Sequence, residues 1–264
     1  MIYLVLFFGL IFRLISLNQS LWLDEATTAL VARMPIADFF TKFMPADFHP
    51  PLYYIVVHFW VRLFGASEIS LRIPSIIFGI LTIYTVYQIA KDIKLKWPIV
   101  PALFLATSGL HVYYSQEARM YSMATFLVTL VVYFYINKKW SLFAIILPIL
   151  FLTDYLSLII LPVLFIYTYY KQSLPLRGKD YKSIKNILKA SLPLALSFVA
   201  WLPYLSKQLA AGIAIKSSSS GWWSILGPVT FKNIALIPTK FMIGRVNIDN
   251  KFIYLITIIV ISII

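Results

Sequence analysis

Apolar residues run through the chain in blocks separated by short polar connections, and most blocks approach the ~20 residues that a tilted transmembrane helix needs. They predict spans at about 1–17, 72–90, 97–112, 120–136, 141–153, 156–170 and 190–205, with another beginning near 252. The first block lacks the basic leading region and small-residue cleavage site of a signal peptide, so it reads as a retained span. Residues 52–64 (LYYIVVHFWVRLF) are too short for a span at 13 residues. They read as an interfacial helix with Tyr54, His58 and Arg62 as one polar stripe. Residues 36–44 set Ile36, Phe39, Phe40, Phe43 and Met44 on one face and Asp38, Thr41 and Lys42 on the other, the pattern of a helix lying flat on a bilayer. The chain ends at Ile264 inside an apolar run, which reads as a single transmembrane domain over 1–264 truncated at its C-terminus.

Composition strengthens this reading. The chain is 61% hydrophobic and 12% charged with a mean hydropathy of +0.84, against about 45–50% and about 25% in soluble domains. A water-soluble fold cannot hide that much apolar surface. With no cysteine, disulfides and thiolate metal sites are excluded. The net charge of +13 would suggest nucleic acid on a soluble domain, but here the basic residues sit in connections, and no nucleic-acid partner is expected. Residues 91–96 and 137–140 each carry net +2, and 171–189 hold six Lys/Arg against Asp180. The positive-inside rule makes these connections cytoplasmic, together with the N-terminus. Residues 18–71 then form a first extracytoplasmic loop with two juxtamembrane helices, joined on that side by 113–119, 153–155 and a loop at 206–250. That last loop carries five Lys/Arg and only Asp249, but long loops obey the charge rule weakly.

Ten acidic residues leave few candidates for chemistry. Asp24 and Glu25 follow Leu21-Trp22-Leu23, so an aromatic anchor delivers two carboxylates to the membrane surface. There a carboxylate can act as a general base or hold a divalent cation against a phosphate. The alternative makes Asp24 the cap of a helix and Glu25 part of its first turn. Asp47 and His49 precede Pro50-Pro51, which fixes an extended stretch, and both side chains are able to ligate a metal or flank a phosphate. In Tyr113-Tyr114-Ser115-Gln116-Glu117-Ala118-Arg119-Met120-Tyr121, the residues Tyr113, Glu117 and Tyr121 would share a helix face. Arg119 offers a fork for phosphate there, and Arg72 reaches the same side. Either arginine could instead pair with Glu68 or Glu117. Arg13, one turn from the end of the first span, reads as a snorkelling residue, His58 as a stripe or packing residue, and Asp154 as either a turn residue or an acid lining a cavity. The tract Ser217 to Gly221 reads as a flexible connection, with Trp222-Trp223 as an interfacial anchor.

In order, SLWLDEATTA, DFHPPLYY, LFGASEISLRIPSIIFG, YYSQEARMYS and WLPYLSKQ resemble the lipid-linked-sugar glycosyltransferases of the GT-C fold. The nearest likeness is to glycosyltransferase family 39, with its ArnT-like and RgtA/B/C/D-like dolichyl-phosphate-mannose-protein mannosyltransferase relatives, over roughly residues 10 to 210. The resemblance implies an all-α, polytopic transmembrane bundle with a GT-C core. It also implies transfer of a sugar from a polyprenyl-phosphate carrier to a lipid, glycan or protein acceptor on the extracytoplasmic face, inverting at the anomeric carbon. The family's catalytic Asp matches Asp24, the acid after it matches Glu25, and the charged residue before the double proline matches His49. The chain departs from the pattern where Phe48-His49 replaces a Glu-Lys pair and where Asp154 stands in a Thr-His-Tyr position.

The expected site therefore has Asp24 as base and Glu25 as helper, with His49, Arg72 and Arg119 as candidates for the phosphate. Glu117 lies beside them, and Tyr113, Tyr114, Trp22 and Tyr53 are available for sugar or isoprenoid. A divalent ion on Asp47 and His49 is the one cofactor this pattern admits. The expectation requires Asp24, His49, Arg72 and Arg119 to converge on one cavity. A transporter or flippase for a lipid-linked or amphipathic solute is the competing class, marked by ionisable residues within spans.

Overall fold

A computed structural model describes residues 1–173 and 181–218, together with the single positions 230, 231, 237 and 256. The span expected near 252, the Trp222-Trp223 anchor and most of the 206–250 connection lie outside the described residues. Among the described residues the fold is all-helical. Helix α1 is Ile2–Leu14, α2 Leu23–Arg33, α3 Ile36–Asp38, α4 Leu52–Phe64, α5 Glu68–Asp92 and α6 Ile99–Thr107. There follow α7 Gly109–Ser115, α8 Tyr121–Ile136, α9 Trp140–Phe151, α10 Ile160–Ser173, α11 Tyr181–Ala190 and α12 Leu192–Ser218.

Among the described residues two stretches are long and apolar enough to cross a membrane by length and composition, Glu68–Asp92 and Ile184–Ile215, with mean hydropathies of 1.7 and 1.4 over their best windows. Several expected elements are recut. The 97–112 block breaks at Ser108, whose extended backbone (ψ 118°) ends α6 and starts α7. Residues 206–218, expected within a connection, continue α12. The flat helix over 36–44 keeps only its first turn as α-helix, because Met44 N–H donates to Phe39 O at 2.9 Å, a five-residue step that makes a π turn of Phe39–Phe43. That wider turn swings Phe39 and Met44 into the interior, while Ile36 stays exposed.

Helix α5 is the hub, packing against α1, α4, α6, α7 and α8. A central core joins Tyr53, Leu71, Met123, Phe143 and Leu147, and a second cluster gathers Phe39, Met44, Tyr54, Phe151 and Trp201 beneath α12. On α4 the buried face is Tyr53, Tyr54, Val57 and His58, while Phe59, Leu63 and Phe64 are exposed. The expected polar stripe is thus turned inward for Tyr54 and His58, and His58 is a packing residue against Phe59. Helix α4 ends at Gly65, whose φ of 78° closes the helix through its N–H to Val61 O, a conformation that suits glycine.

Helix α1 is built inside out. Val5, Gly9 and Arg13 face the protein, while Tyr3, Leu4, Phe7 and Phe8 face outward. Arg13 does not snorkel. It is fully buried, and its five donors meet Ser115 Oγ (3.2 Å), the carbonyls of Gly9 (2.7 Å), Ala106 (3.1 Å) and Leu105 (3.5 Å), and His111 Nδ1 (2.5 Å). Room for this cluster comes from Gly79 on α5. A Cβ there would lie 2.3 Å from Ser115 Oγ and 3.2 Å from Arg13 Nε. We therefore expect Gly79→Ala to lose about 1–3 kcal/mol of stability by overpacking, read as a lowered thermal midpoint in detergent. An unchanged midpoint would remove the close α5–α7 approach as a determinant of the fold.

Candidate functional site

The connection from α1 to α2 is clamped from two sides, which fixes where Asp24 and Glu25 arrive. Gln116 donates to Ile15 O (2.7 Å) and Arg13 O (3.3 Å), covering carbonyls left over at the end of α1. Arg72 donates through Nη1 to Leu17 O (2.7 Å) and Gln19 O (2.8 Å), and through Nη2 to Ser20 O (3.5 Å). Its remaining donors close a fork on Glu25, Nε to Oε1 at 2.9 Å and Nη2 to Oε2 at 2.6 Å. Glu25 also accepts from Ala118 N–H (2.9 Å) and Trp22 N–H (3.4 Å). Both side chains are buried. All five Arg72 donors are matched, so Arg72 cannot reach a phosphate without dismantling this joint, and Glu25 is likewise a structural partner here.

The helix-cap alternative for the acidic pair is resolved in an unexpected way. Helix α2 starts at Leu23, and Glu25, not Asp24, turns back to its N-terminus. The Asp24 carboxylate is left 37% exposed in the first helical turn, 3.5 Å from Arg119 Nη2. Arg119 leaves the turn between α7 and α8. Its Nη2 also lies 3.2 Å from His49 Nε2, its Nη1 donates to the Tyr54 hydroxyl at 3.4 Å, and its Nε is buried with no hydrogen-bond partner. A guanidinium can only donate, so His49 Nε2 accepts and its Nδ1–H points to Asp47 Oδ1 at 3.4 Å.

Asp24, His49 and Arg119 thus meet, with Asp47 behind His49. Of the expected quartet, Arg72 stands apart. Tyr53 is buried in the central core, its hydroxyl 2.8 Å from Ser75 Oγ, which donates in turn to the Arg119 carbonyl at 3.2 Å, so it backs the site from behind Arg119. Tyr113, Glu117 and Tyr121 do not share a helix face, since α7 stops at Ser115 and α8 begins at Tyr121. Tyr113 packs edge-on to Tyr114 at 5.2 Å between centroids, and Glu117 is buried in the intervening turn, where its carbonyl accepts from Arg119 N–H at 2.8 Å. Asp154 fulfils both of its readings, accepting from Ser157 N–H at 2.9 Å and from the Ser157 hydroxyl while lining a cavity.

The site draws on side chains that sequence reasoning had not assigned to it. Gln208 of α12 donates to Met44 O (3.1 Å) and His49 O (3.3 Å) and accepts from the Tyr155 hydroxyl (2.8 Å), which in turn accepts from Trp201 Nε1 (2.5 Å). This network fixes the Asp47–Pro51 stretch against α12. The WLPYLSKQ segment contained that signal, but only as part of a pattern.

Asp47 and His49, the expected metal pair, face each other at 3.4 Å. Among the described residues no group of three or more His, Asp or Glu side chains is placed to hold an ion. The space between His49 and Asp24 is held by the Arg119 cation instead. Burial raises the Asp47 pKa, but its contacts to His49, Phe48 N–H and Tyr54 outweigh that and hold it below the ordinary carboxylate value. A depressed folded value means stability that is present above the unfolded pKa near 4 and lost as pH falls through the folded one. Asp47→Asn is accordingly expected to flatten the acid limb of a stability-against-pH curve and to leave its neutral-to-basic limb parallel to that of the unmodified protein. An unaltered acid limb would argue against the pairing.

The chain matches no known family model, and no curated protein matches it significantly.

Proposed function

We propose that this chain is a polytopic membrane glycosyltransferase that moves a sugar from a polyprenyl-phosphate carrier to an acceptor hydroxyl on the extracytoplasmic face. The carrying observation is a difference among three buried arginines. Arg13 and Arg72 have every donor matched, whereas Arg119 keeps a buried Nε without a partner beside the accessible carboxylate of Asp24. Arg119 thus keeps one donor in reserve while its Nη2 lies 3.5 Å from an accessible acid, the two kinds of group that transfer from a phosphate calls for. The membrane setting is supported by the outward phenylalanines of α1 around an inward arginine and by the apolar stretch Ile184–Ile215, of which only 11% of the best window is buried. Apolar surface on that scale needs a lipid solvent.

In the proposed reaction the acceptor oxygen forms a bond to the anomeric carbon as the carbon–oxygen bond to phosphate breaks. The bonding pair leaves with the phosphate, whose growing charge Arg119 neutralises, and the acceptor proton passes to Asp24. The N-terminus of α2 and His49 Nε2–Arg119 hold these groups in place. Membranes containing the protein, supplied with radiolabelled polyprenyl-phosphate sugar, test this. Label should move to a new acceptor, and Asp24→Asn should slow that movement by about 10²–10⁴-fold, the usual contribution of a general base. Label that crosses the bilayer still attached to its carrier would establish the transport class instead, and transfer indifferent to Asp24→Asn would sink the base assignment.

A further inference from the structure

Between α7, α8 and the turn after α9 lies a cavity of about 450 Å³, within the roughly 300–1,000 Å³ range of small-molecule pockets. His111 lines it from α7. Because Arg13 can only donate to His111 Nδ1, the imidazole carries its hydrogen on Nε2, and that Nε2–H is buried with no hydrogen-bond partner. His111 is 7% exposed. Asp154 lines it from the turn after α9. Its Oδ2 is engaged by Ser157, and among the described residues Oδ1 accepts no hydrogen bond. His111 therefore brings a buried, unpartnered N–H to the wall of the cavity and Asp154 brings a carboxylate acceptor, with the hydroxyls of Ser115, Ser122 and Thr125 also in the lining. Two aromatic rings, Tyr114 and Tyr121, stand edge to face at 4.9 Å on its border. Leu110, Ala124 and Val128 supply the apolar part of the wall.

We propose that this cavity binds a neutral, hydroxyl-bearing ring of monosaccharide size. A carboxylate repels a phosphate and accepts from hydroxyls, the His111 Nε2–H gives to a hydroxyl or ring oxygen, and aromatic walls cover the apolar C–H faces of a sugar. An isoprenoid chain would leave both polar groups unsatisfied. Tyr121 also carries the Arg119 guanidinium 5.8 Å from its ring centroid, so the cavity and the phosphate-facing cation share one side chain. That the bound ring is the sugar of the transferred group rests on the transferase reading, but the existence of the binding site does not.

The test measures binding, apart from turnover. The purified full chain in detergent is titrated with a panel of methyl glycosides by saturation-transfer difference NMR, and separately with citronellyl phosphate. At least one glycoside should bind. Asp154→Asn, and Thr125→Trp placed at the exposed rim, should each weaken it by about tenfold or more. Citronellyl phosphate binding should respond to Arg119→Gln and not to Thr125→Trp. Thr125→Trp serves as the second variant because its position is exposed and it leaves the Asp154–Ser157 turn intact. The proposal is overturned if no glycoside binds, if glycoside binding ignores Thr125→Trp, or if Thr125→Trp blocks citronellyl phosphate. Glycoside binding that persists in a protein without transfer activity would keep the site and reject the transferase reading.

Discussion

Replacing Arg72 by Met is expected to remove about 3–5 kcal/mol of stability, the cost of stranding one member of a buried ion pair. The loss comes from Glu25, which would keep a buried charge with only backbone N–H partners, and from the carbonyls of Leu17 and Gln19, which would lose their donors. Glu25→Gln should be comparably harmful, because it leaves the Arg72 guanidinium without its counter-charge at 2.6 Å. In the double variant Glu25→Gln/Arg72→Met neither charge is stranded. Its loss should therefore fall short of the sum of the single losses by about 0.5–3 kcal/mol, as for residues in direct contact. Thermal unfolding of the four proteins in one detergent measures this, and additive losses would show that the fork contributes no coupling. Specific transfer activity per folded molecule separates the structural role from a catalytic one. It should survive Glu25→Gln far better than Asp24→Asn.

The fate of that pair shows what the chain revealed in advance and what it hid. Acidic residues beside an aromatic anchor, prolines after His49 and an arginine in a short polar turn are local signals, and they located three groups that meet in space. Pairing across the fold is a different kind of information. Glu25 and Arg72 are 47 positions apart, and nothing in their neighbourhoods says which acid will point inward. Helical phase decides it. With the helix starting at Leu23, Glu25 lies near the middle of the buried face that Thr28, Ala29 and Ala32 form, while Asp24, in line with Thr28 and Val31, lies at its edge and stays 37% exposed. A start two residues later would have left the cap to Asp24, and helix boundaries are the least certain part of a hydropathy pattern. Arg13 differs from its sequence expectation for a related reason. Distance from a span's end predicts a snorkelling side chain, whereas the phase that aligns it with Val5 and Gly9 turns it towards Ser115 and His111. The π turn at Phe39–Phe43 altered the phase of the flat helix in the same way, so that two of its five expected apolar positions became core.

If the unsatisfied Nε of Arg119 marks the phosphate, Arg119→Gln should lower kcat for transfer by about 10²–10³-fold, the scale for losing one charged donor at a site of developing negative charge. The effect should fall on kcat more than on KM. Negative charge on the phosphate oxygen grows as the bond to the sugar breaks, so the guanidinium gains more in the transition state than in the bound ground state. Arg119→Lys provides the finer test. It restores the charge but not the planar fork that spans Tyr54 and His49, so it should recover part of the rate and no more. Stability should respond little by comparison with Arg72→Met, because Arg119 enters the native state with a donor already unmatched, and removing it relieves that penalty while leaving Asp24 open to water. The contrast between two arginines on neighbouring elements is the decisive measurement: Arg72 should control folding and Arg119 turnover. Should Arg119→Gln raise KM with kcat unchanged, the guanidinium would be holding the substrate equally in both states. The leaving-group charge would then have to be met by another cation.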